Sequence, residues 1–182
     1  DFTTRSQHAY FACELAETAE QILANVKKKQ RAVIRHALNE PLHYTLDANP
    51  NDFYQTYSES VRNLGTPVFS KAFFQKIMQV FPAQTEILTV RKEQQAVSSV
   101  LSFYYKGEVL PYYGGGISEA KSLKSNDYMY YQLMCHARLD KNCQRYDFGR
   151  SKLESGAYQY KKHWGMAATE LHYQYKLITA QQ

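Results

Sequence analysis

Residues 96–113 constrain this fold more than any other segment. Ala96 to Tyr105 is a long run rich in Val, Ser and aromatic residues, the composition of a strand. Lys106-Gly107 follows as a tight turn, and Glu108 to Tyr113 reads as the returning strand. Such a hairpin is not stable alone and needs a larger sheet or a helix against one face. Thr85 to Val90 reads as one more strand of the same meander.

The flanking segments are helical. Thr18-Ala-Glu-Gln21 fits a capping box and opens a helix to about Leu38, with Ile22, Leu23, Val26, Val33, Ile34, Ala37 and Leu38 as its stripe. Pro41 ends it. Asn49-Pro50 starts a second helix carrying Phe53, Tyr57, Val61 and Leu64, with Gly65 at its end. Ser70 caps a third, with Phe74, Ile77, Met78 and Phe81 on one face and Pro82 as the stop. Asn126 is expected to cap a helix to about Leu139, and Ala157 to Trp164 to form a short one closed by Gly165.

Strands are expected at His8 to Leu15, Leu42 to Leu46, Arg145 to Phe148 and Glu170 to Ile178. Gly114-Gly115-Gly116 reads as a loop leaving the hairpin, and Gly149-Arg150-Ser151 as the exit from the Arg145 strand. The order β-α-β-α-α-β-β-β-α-β-α-β predicts one α/β (α+β mixed) domain over residues 1–182, a central mixed sheet flanked by helices.

Composition narrows the class. With 182 residues, 44% hydrophobic and 21% charged, the chain can bury one sizeable core and is neither disordered nor fibrous. No apolar run reaches the roughly 18 residues of a membrane-spanning helix. Cys13, Cys135 and Cys143 are too irregularly spaced for a metal or disulfide framework and read as reduced thiols of a cytoplasmic protein. No HExxH, CxxC or paired-carboxylate pattern occurs, so no metal is expected. The net charge of +5 favours an anionic partner weakly. The chain opens Asp1-Phe2-Thr3 without Met or signal peptide, which reads as a piece cut from a longer protein.

Three places could carry chemistry. Lys27, Lys28, Lys29, Arg31 and Arg35 form a basic run that is either a solvated helix face or a phosphate contact. Asp147 and Arg150 emerge near a strand's C-terminal end, where they either meet a ligand or pair and cap a turn. Ser151 follows them, but no Gly-x-Ser-x-Gly elbow makes it a hydrolase nucleophile. In Tyr158 to Trp164, a Lys161 ammonium held beside the Tyr160 ring could stabilise an oxyanion. The competing reading puts Tyr158 and Trp164 in the core and Lys161 in solvent.

Together these segments resemble a known pattern. Tyr146-Asp-Phe-Gly-Arg-Ser151, Gly156-Ala-Tyr-Gln-Tyr-Lys161 and His163-Trp-Gly165 look like the C-terminal signature of FemAB-like proteins of the GNAT superfamily. The resemblance is nearest the branch associated with PEP-CTERM/exosortase exopolysaccharide systems. Arg31 to Ala37, Arg62-Asn-Leu-Gly-Thr-Pro67, Tyr113-Gly114-Gly115 and Asn126 to Tyr131 resemble further family motifs in the same order. It runs from about Lys28 to about Trp164.

The resemblance implies a GNAT-like fold, as the second of two tandem domains with the N-terminal GNAT-like domain missing. It implies transfer of an acyl or aminoacyl group to an amine acceptor, in cell-envelope or exopolysaccharide metabolism. Lys161 and Tyr160 would be catalytic. Asp147, Arg150, Ser151, Tyr158, Trp164, Arg31, Arg35 and Asn126 would bind substrate. The acyl donor would be aminoacyl-tRNA or acyl-CoA, and the missing R/Q-x-x-G-x-G/A loop counts against CoA. An ordinary acetyl-CoA-dependent N-acetyltransferase and a non-catalytic tRNA- or partner-binding domain are the alternatives.

Overall fold

The computed structural model describes residues 2–176. Strand β1 spans Thr3–Glu14 and is followed by α1 (Ala19–Asn25), α2 (Lys28–Leu38) and β2 (Leu42–Asp47). Next come α3 (Asn51–Asn63), α4 (Lys71–Val80), β3 (Thr85–Lys92), β4 (Gln95–Tyr105) and β5 (Glu108–Gly116). Then follow α5 (Ala120–Leu123), α6 (Ser125–Leu139), β6 (Arg145–Lys152), α7 (Gly156–His163) and β7 (Ala168–Tyr175). The predicted end of the last strand, Leu177 and Ile178, lies outside the described residues.

Among the described residues the seven strands join one sheet in the order β2-β3-β4-β5-β6-β1-β7. The expected mixed sheet with the 96–113 hairpin near its centre is therefore present. Among the described residues only β5 and β6 run parallel, and they share two rungs, Glu108↔Arg145 and Val109↔Tyr146, before they part.

Two helical layers cover the sheet unequally. On one face Ile34 and Ala37 of α2 and Met129, Leu133 and Ala137 of α6 bury against Leu88, Val90, Val100, Val109 and Tyr146. On the other, Phe53 of α3 and Phe74 of α4 close over Ile87, Leu101 and Tyr113. That second layer touches β3, β4 and β5. Among the described residues no helix covers β6, β1 and β7 on that side.

Three local predictions need correction. The helix expected from Thr18 to Leu38 is two helices. Thr18 caps the first as predicted, its Oγ1 accepting from Gln21 N at 3.3 Å. Val26 and Lys27 then adopt extended ψ angles of 142° and 143° and break the run. Gly165 packs into the break: a Cβ there would stand 2.9 Å from the Asn25 carbonyl oxygen, and its φ is +91°. Gly165→Ala is thus expected to cost about 1–3 kcal/mol in urea unfolding. Gly156→Ala, at the start of α7 with nothing within 4 Å of the added Cβ, should be neutral or slightly stabilising.

The second correction concerns the glycine run, which is not a loop. Gly114, Gly115 and Gly116 continue β5, opposite Val100, Ser99 and Ser98. Close approach explains the residue type: a Cβ on Gly115 would lie 2.5 Å from Ser60 Cβ, and one on Gly116 2.6 Å from Ala120 Cβ. Third, the Arg145 strand does not end at Phe148. It continues through Gly149, Arg150 and Ser151, held by β1.

A buried polar network sits under the β3–β4 end of α6. The His136 ring donates to Glu86 Oε1 through Nε2 at 2.6 Å and meets Asp140 Oδ2 through Nδ1 at 2.7 Å. A neutral imidazole has one N–H, so two carboxylate contacts select the imidazolium. The hydrogen bond with Glu86 raises the His136 pKa above its usual value. Burial works against the Glu86 carboxylate, but bonds from His136 and Lys141 outweigh it and hold its pKa at about 2.

Candidate active site

The site grows from the parting of β5 and β6. Beyond Val109 the strands make no further rungs, and a cleft of about 450 Å³ opens beside them. Tyr10, Tyr112, Asp147, Arg150, Lys161 and Leu171 are among its walls. Helix α7 reaches this gap because Ser155 caps it, its Oγ accepting from Tyr158 N at 3.2 Å.

Lys161 lies at the gap. Its Nζ donates to the carbonyl oxygen of Arg150 at 3.1 Å. The ammonium stands 5.2 Å from the centre of the Phe148 ring and 5.9 Å from that of Phe11. No carboxylate bonds it among the described residues. Burial lowers its pKa to about 8, with the Asp147 charge pulling the other way. The site therefore holds a positive charge at neutral pH with no ion-pair partner, where a developing negative charge would be strongly felt.

Asp147 and Arg150 both face the cleft, yet they do not pair. Asp147 Oδ1 accepts from Gly149 N at 2.7 Å, which is the turn-capping role. Arg150 is exposed and donates through Nη1 to the Tyr173 hydroxyl at 2.6 Å. Its neighbours repeat the theme. Arg145 lies over the Tyr10 ring and Arg5 over that of Tyr175, each about 6 Å from the centroid. The uncovered β6–β1–β7 face thus interleaves guanidinium groups with tyrosine rings beside the cleft.

The remaining predicted residues are elsewhere. Tyr160 does not hold the ammonium. Its hydroxyl donates to Asp127 Oδ1 at 2.9 Å, and its ring packs among Tyr130, Phe148 and Trp164. Adjacent helical residues diverge by about 100°, so Lys161 and Tyr160 cannot share one direction. Trp164 is 3% exposed and belongs to the core. Tyr158 is half-buried, edge-on to Phe11 at 5.3 Å. Ser151 pairs with Ala9 on the core side of the sheet, so its buried hydroxyl points away from the cleft. Asn126 caps nothing: it is already inside α6, whose N-cap is Lys124 without a side-chain bond. Arg31 is half-buried and Arg35 exposed on α2, and neither lines the cleft.

Sequence reasoning missed Phe11, Tyr10 and Tyr112 at the site, and Asp127 beneath it. Asp127 is held by Gln30 Nε2 at 2.6 Å as well as by Tyr160, tying α2, α6 and α7 together. Burial raises its pKa, and the two bonds oppose that shift. The alternation Ala9 and Phe11 in, His8 and Tyr10 out was the available signal for β1.

The central parallel pair of a mixed sheet thus opens beside a half-buried cation. Residues 23–162 match the family described as "Acetyltransferase (GNAT) domain", and the chain belongs to that family. The fold is similar to the crystal structure of FemX, with a TM-score of 0.80 at 14% identity over 93% of this chain and 61% of that one. It is also similar to L-PGS from Bacillus licheniformis, with a TM-score of 0.69 at 13% identity over 96% and 62%. The C-terminal domain (DUF2156) of a putative lysylphosphatidylglycerol synthetase from Agrobacterium fabrum gives 0.68 at 11% over 94% and 60%. At these identities the likeness is one of fold. The chain spans about three-fifths of each of these structures. No curated protein matches it in sequence.

An acyl-CoA donor would place its pyrophosphate against the start of the helix after β5. Short helix α5 intervenes, and Gly116 is crowded by Ala120 Cβ and, at 2.9 Å from an added Cβ, by the Val97 carbonyl oxygen. The first turn of α6 carries the Asp127 carboxylate. Lys121 and Lys124 also stand here, but the chain lacks the R/Q-x-x-G-x-G/A loop before this helix start. No helix among the described residues is long and apolar enough to cross a membrane.

Proposed function

We propose that this domain transfers an aminoacyl or acyl group from an RNA-linked ester to a primary amine, in cell-envelope or exopolysaccharide metabolism on the cytoplasmic side. The observation that carries the reading is the unpaired Lys161 ammonium at the β5–β6 gap. The acceptor amine attacks the ester carbonyl carbon, and the oxyanion that forms faces Lys161. As the C–O bond breaks, the ribose hydroxyl leaves with the proton the amine sheds. The Phe148 and Phe11 rings hold the cation without neutralising it, so its full field acts on the transition state. Asp147 attracts the acceptor's ammonium before it loses its proton, and Arg150 at the rim takes a phosphate or carboxylate.

Two features favour an RNA-borne donor. The helix start after β5 lacks the R/Q-x-x-G-x-G/A loop that would cradle a CoA pyrophosphate. Arg5, Arg145 and Arg150 interleaved with Tyr10, Tyr173 and Tyr175 form the kind of surface on which bases stack and phosphates are neutralised. Arg35 with Lys27, Lys28 and Lys29 gives an exposed basic patch for more distant phosphates. We assign the domain as the second of a tandem pair, the first contributing to the acceptor.

The family's description favours one alternative, an acetyl-CoA-dependent N-acetyltransferase. Binding separates the two. A charged tRNA should bind with an affinity that falls steeply with salt. Arg5→Ala combined with Arg150→Ala should lower the log–log slope by about two. Acetyl-CoA should leave the Tm unchanged. A ligand at 100 times its Kd adds about 2.7 kcal/mol, worth roughly 2–4 °C per kcal/mol at this size. A rise of several degrees with acetyl-CoA, or RNA binding indifferent to salt, would move the acetyltransferase to first place.

A further inference from the structure

We propose that Lys161 is a self-acylation site: its Nζ captures an activated acyl group delivered to the cleft, as a stable amide that ends transfer. The natural acyl source rests on the function proposed above; the reactivity of the amine does not. Its environment is that of a nucleophile. The amine sits over two phenylalanine rings, holds one backbone carbonyl and opens into a cleft of about 450 Å³. Lysines desolvated in this manner are activated for attack on carbonyls.

The surrounding groups set the balance between ammonium and amine. Asp147 and Arg150 on β6, Tyr10 on β1, Tyr112 on β5 and Lys162 on α7 are the charged or titratable residues around it. Of these only the Asp147 charge favours the ammonium, and burial outweighs it, leaving the pKa at about 8. A sizeable neutral fraction therefore exists just above neutral pH.

The step balances without a further reactant. The Nζ lone pair attacks the carbonyl carbon of an oxygen ester or thioester. A C–N bond forms and the C–O or C–S bond breaks. The nitrogen sheds one proton to the departing alcohol or thiol. The product is an amide, too stable to pass its acyl group onward, so the event is a modification and not a catalytic intermediate. It also removes the positive charge that transfer needs. An acyl group left waiting without an acceptor would thus switch the site off.

The test uses limiting N-acetoxysuccinimide on the whole chain at pH 7, 8 and 9, with peptide mapping by mass spectrometry. At pH 8 the neutral fraction of Lys161 exceeds that of an ordinary lysine by about a hundredfold. Its lower basicity offsets part of this, leaving acetylation about tenfold faster than at exposed Lys27, Lys28 and Lys29. The Lys161 rate should level off above pH 8 while the others continue to climb. Asp147→Asn should speed labelling at pH 7. Labelling no faster than the three exposed lysines, or still rising tenfold per unit at pH 9, overturns the proposal. The probe carries neither CoA nor nucleotide, so this outcome is independent of the transferase reading. That reading fails instead when Lys161→Ala leaves transfer unchanged.

Discussion

Replacing Lys161 with Ala lowers the rate of transfer by about 10²–10³-fold, the loss typical of one oxyanion donor in a desolvated site. The chain stays folded, because the Phe11 and Phe148 rings remain packed against Tyr158, Tyr130 and Trp164. Steady-state rates with charged tRNA and a panel of primary amines measure the effect, which should fall on kcat and not on KM. Lys161→Arg separates charge from fit. Arginine keeps its proton at any working pH. The wild-type rate should fall as pH rises through about 8, where the ammonium is lost. That descending limb should vanish in Lys161→Arg, whatever activity survives. Equal rates for wild type and Lys161→Ala would remove Lys161 from the chemistry.

The second large effect is on stability. His136→Leu breaks a buried pair and leaves Glu86 short of one partner, which costs about 3 kcal/mol. Lys141 Nζ at 2.7 Å and the Tyr104 hydroxyl at 3.0 Å still hold Glu86, so the loss sits at the low end for such pairs. The pH dependence follows from the directions of the shifts. The His136 pKa is raised on folding, so its contribution is complete below the unfolded value near 6.5 and is lost as pH rises through the folded value. The Glu86 pKa is depressed to about 2, so its contribution is present above about 4.3 and is lost as pH falls towards 2. Wild type should therefore be most stable relative to His136→Leu between roughly pH 4.3 and 6.5. Urea unfolding across pH 3–9 would show it, and a constant difference would rule out an imidazolium.

Much of the fold was legible because local signals agreed. The 96–113 hairpin, the Thr18, Ser70 and Pro82 punctuation and the amphipathic stripes all needed only neighbours in sequence. The errors came from partners far away in the chain. Nothing between Thr18 and Leu38 announces the break, which is packed against Gly165 from far along the chain. The glycine run looked like a loop because glycine is flexible, whereas here it is small enough for Ser60 and Ala120 to approach. That Lys161, Asp147 and Arg150, which all line the candidate cleft, lie near one another was readable from one short stretch. The rings under the ammonium were not, since Phe11 arrives from the first strand. The Tyr160 ring was expected beside the ammonium because adjacency in a helix was taken for contact, and it packs against Tyr130, Phe148 and Trp164 instead.

The place of β1 between β6 and β7 also sets the order in which the molecule can be made. Among the described residues the first strand of this domain pairs with β6 and β7 alone. At about 5–20 residues per second, β1 leaves the ribosome on the order of 10 s before β6 exists to receive it. Its sequence must stay soluble and unpaired for that interval. The strand that carries Phe11 and Tyr10 to the cleft is therefore among the last of this sheet to be secured, and the pocket cannot form on a nascent chain until β6 and β7 have been made.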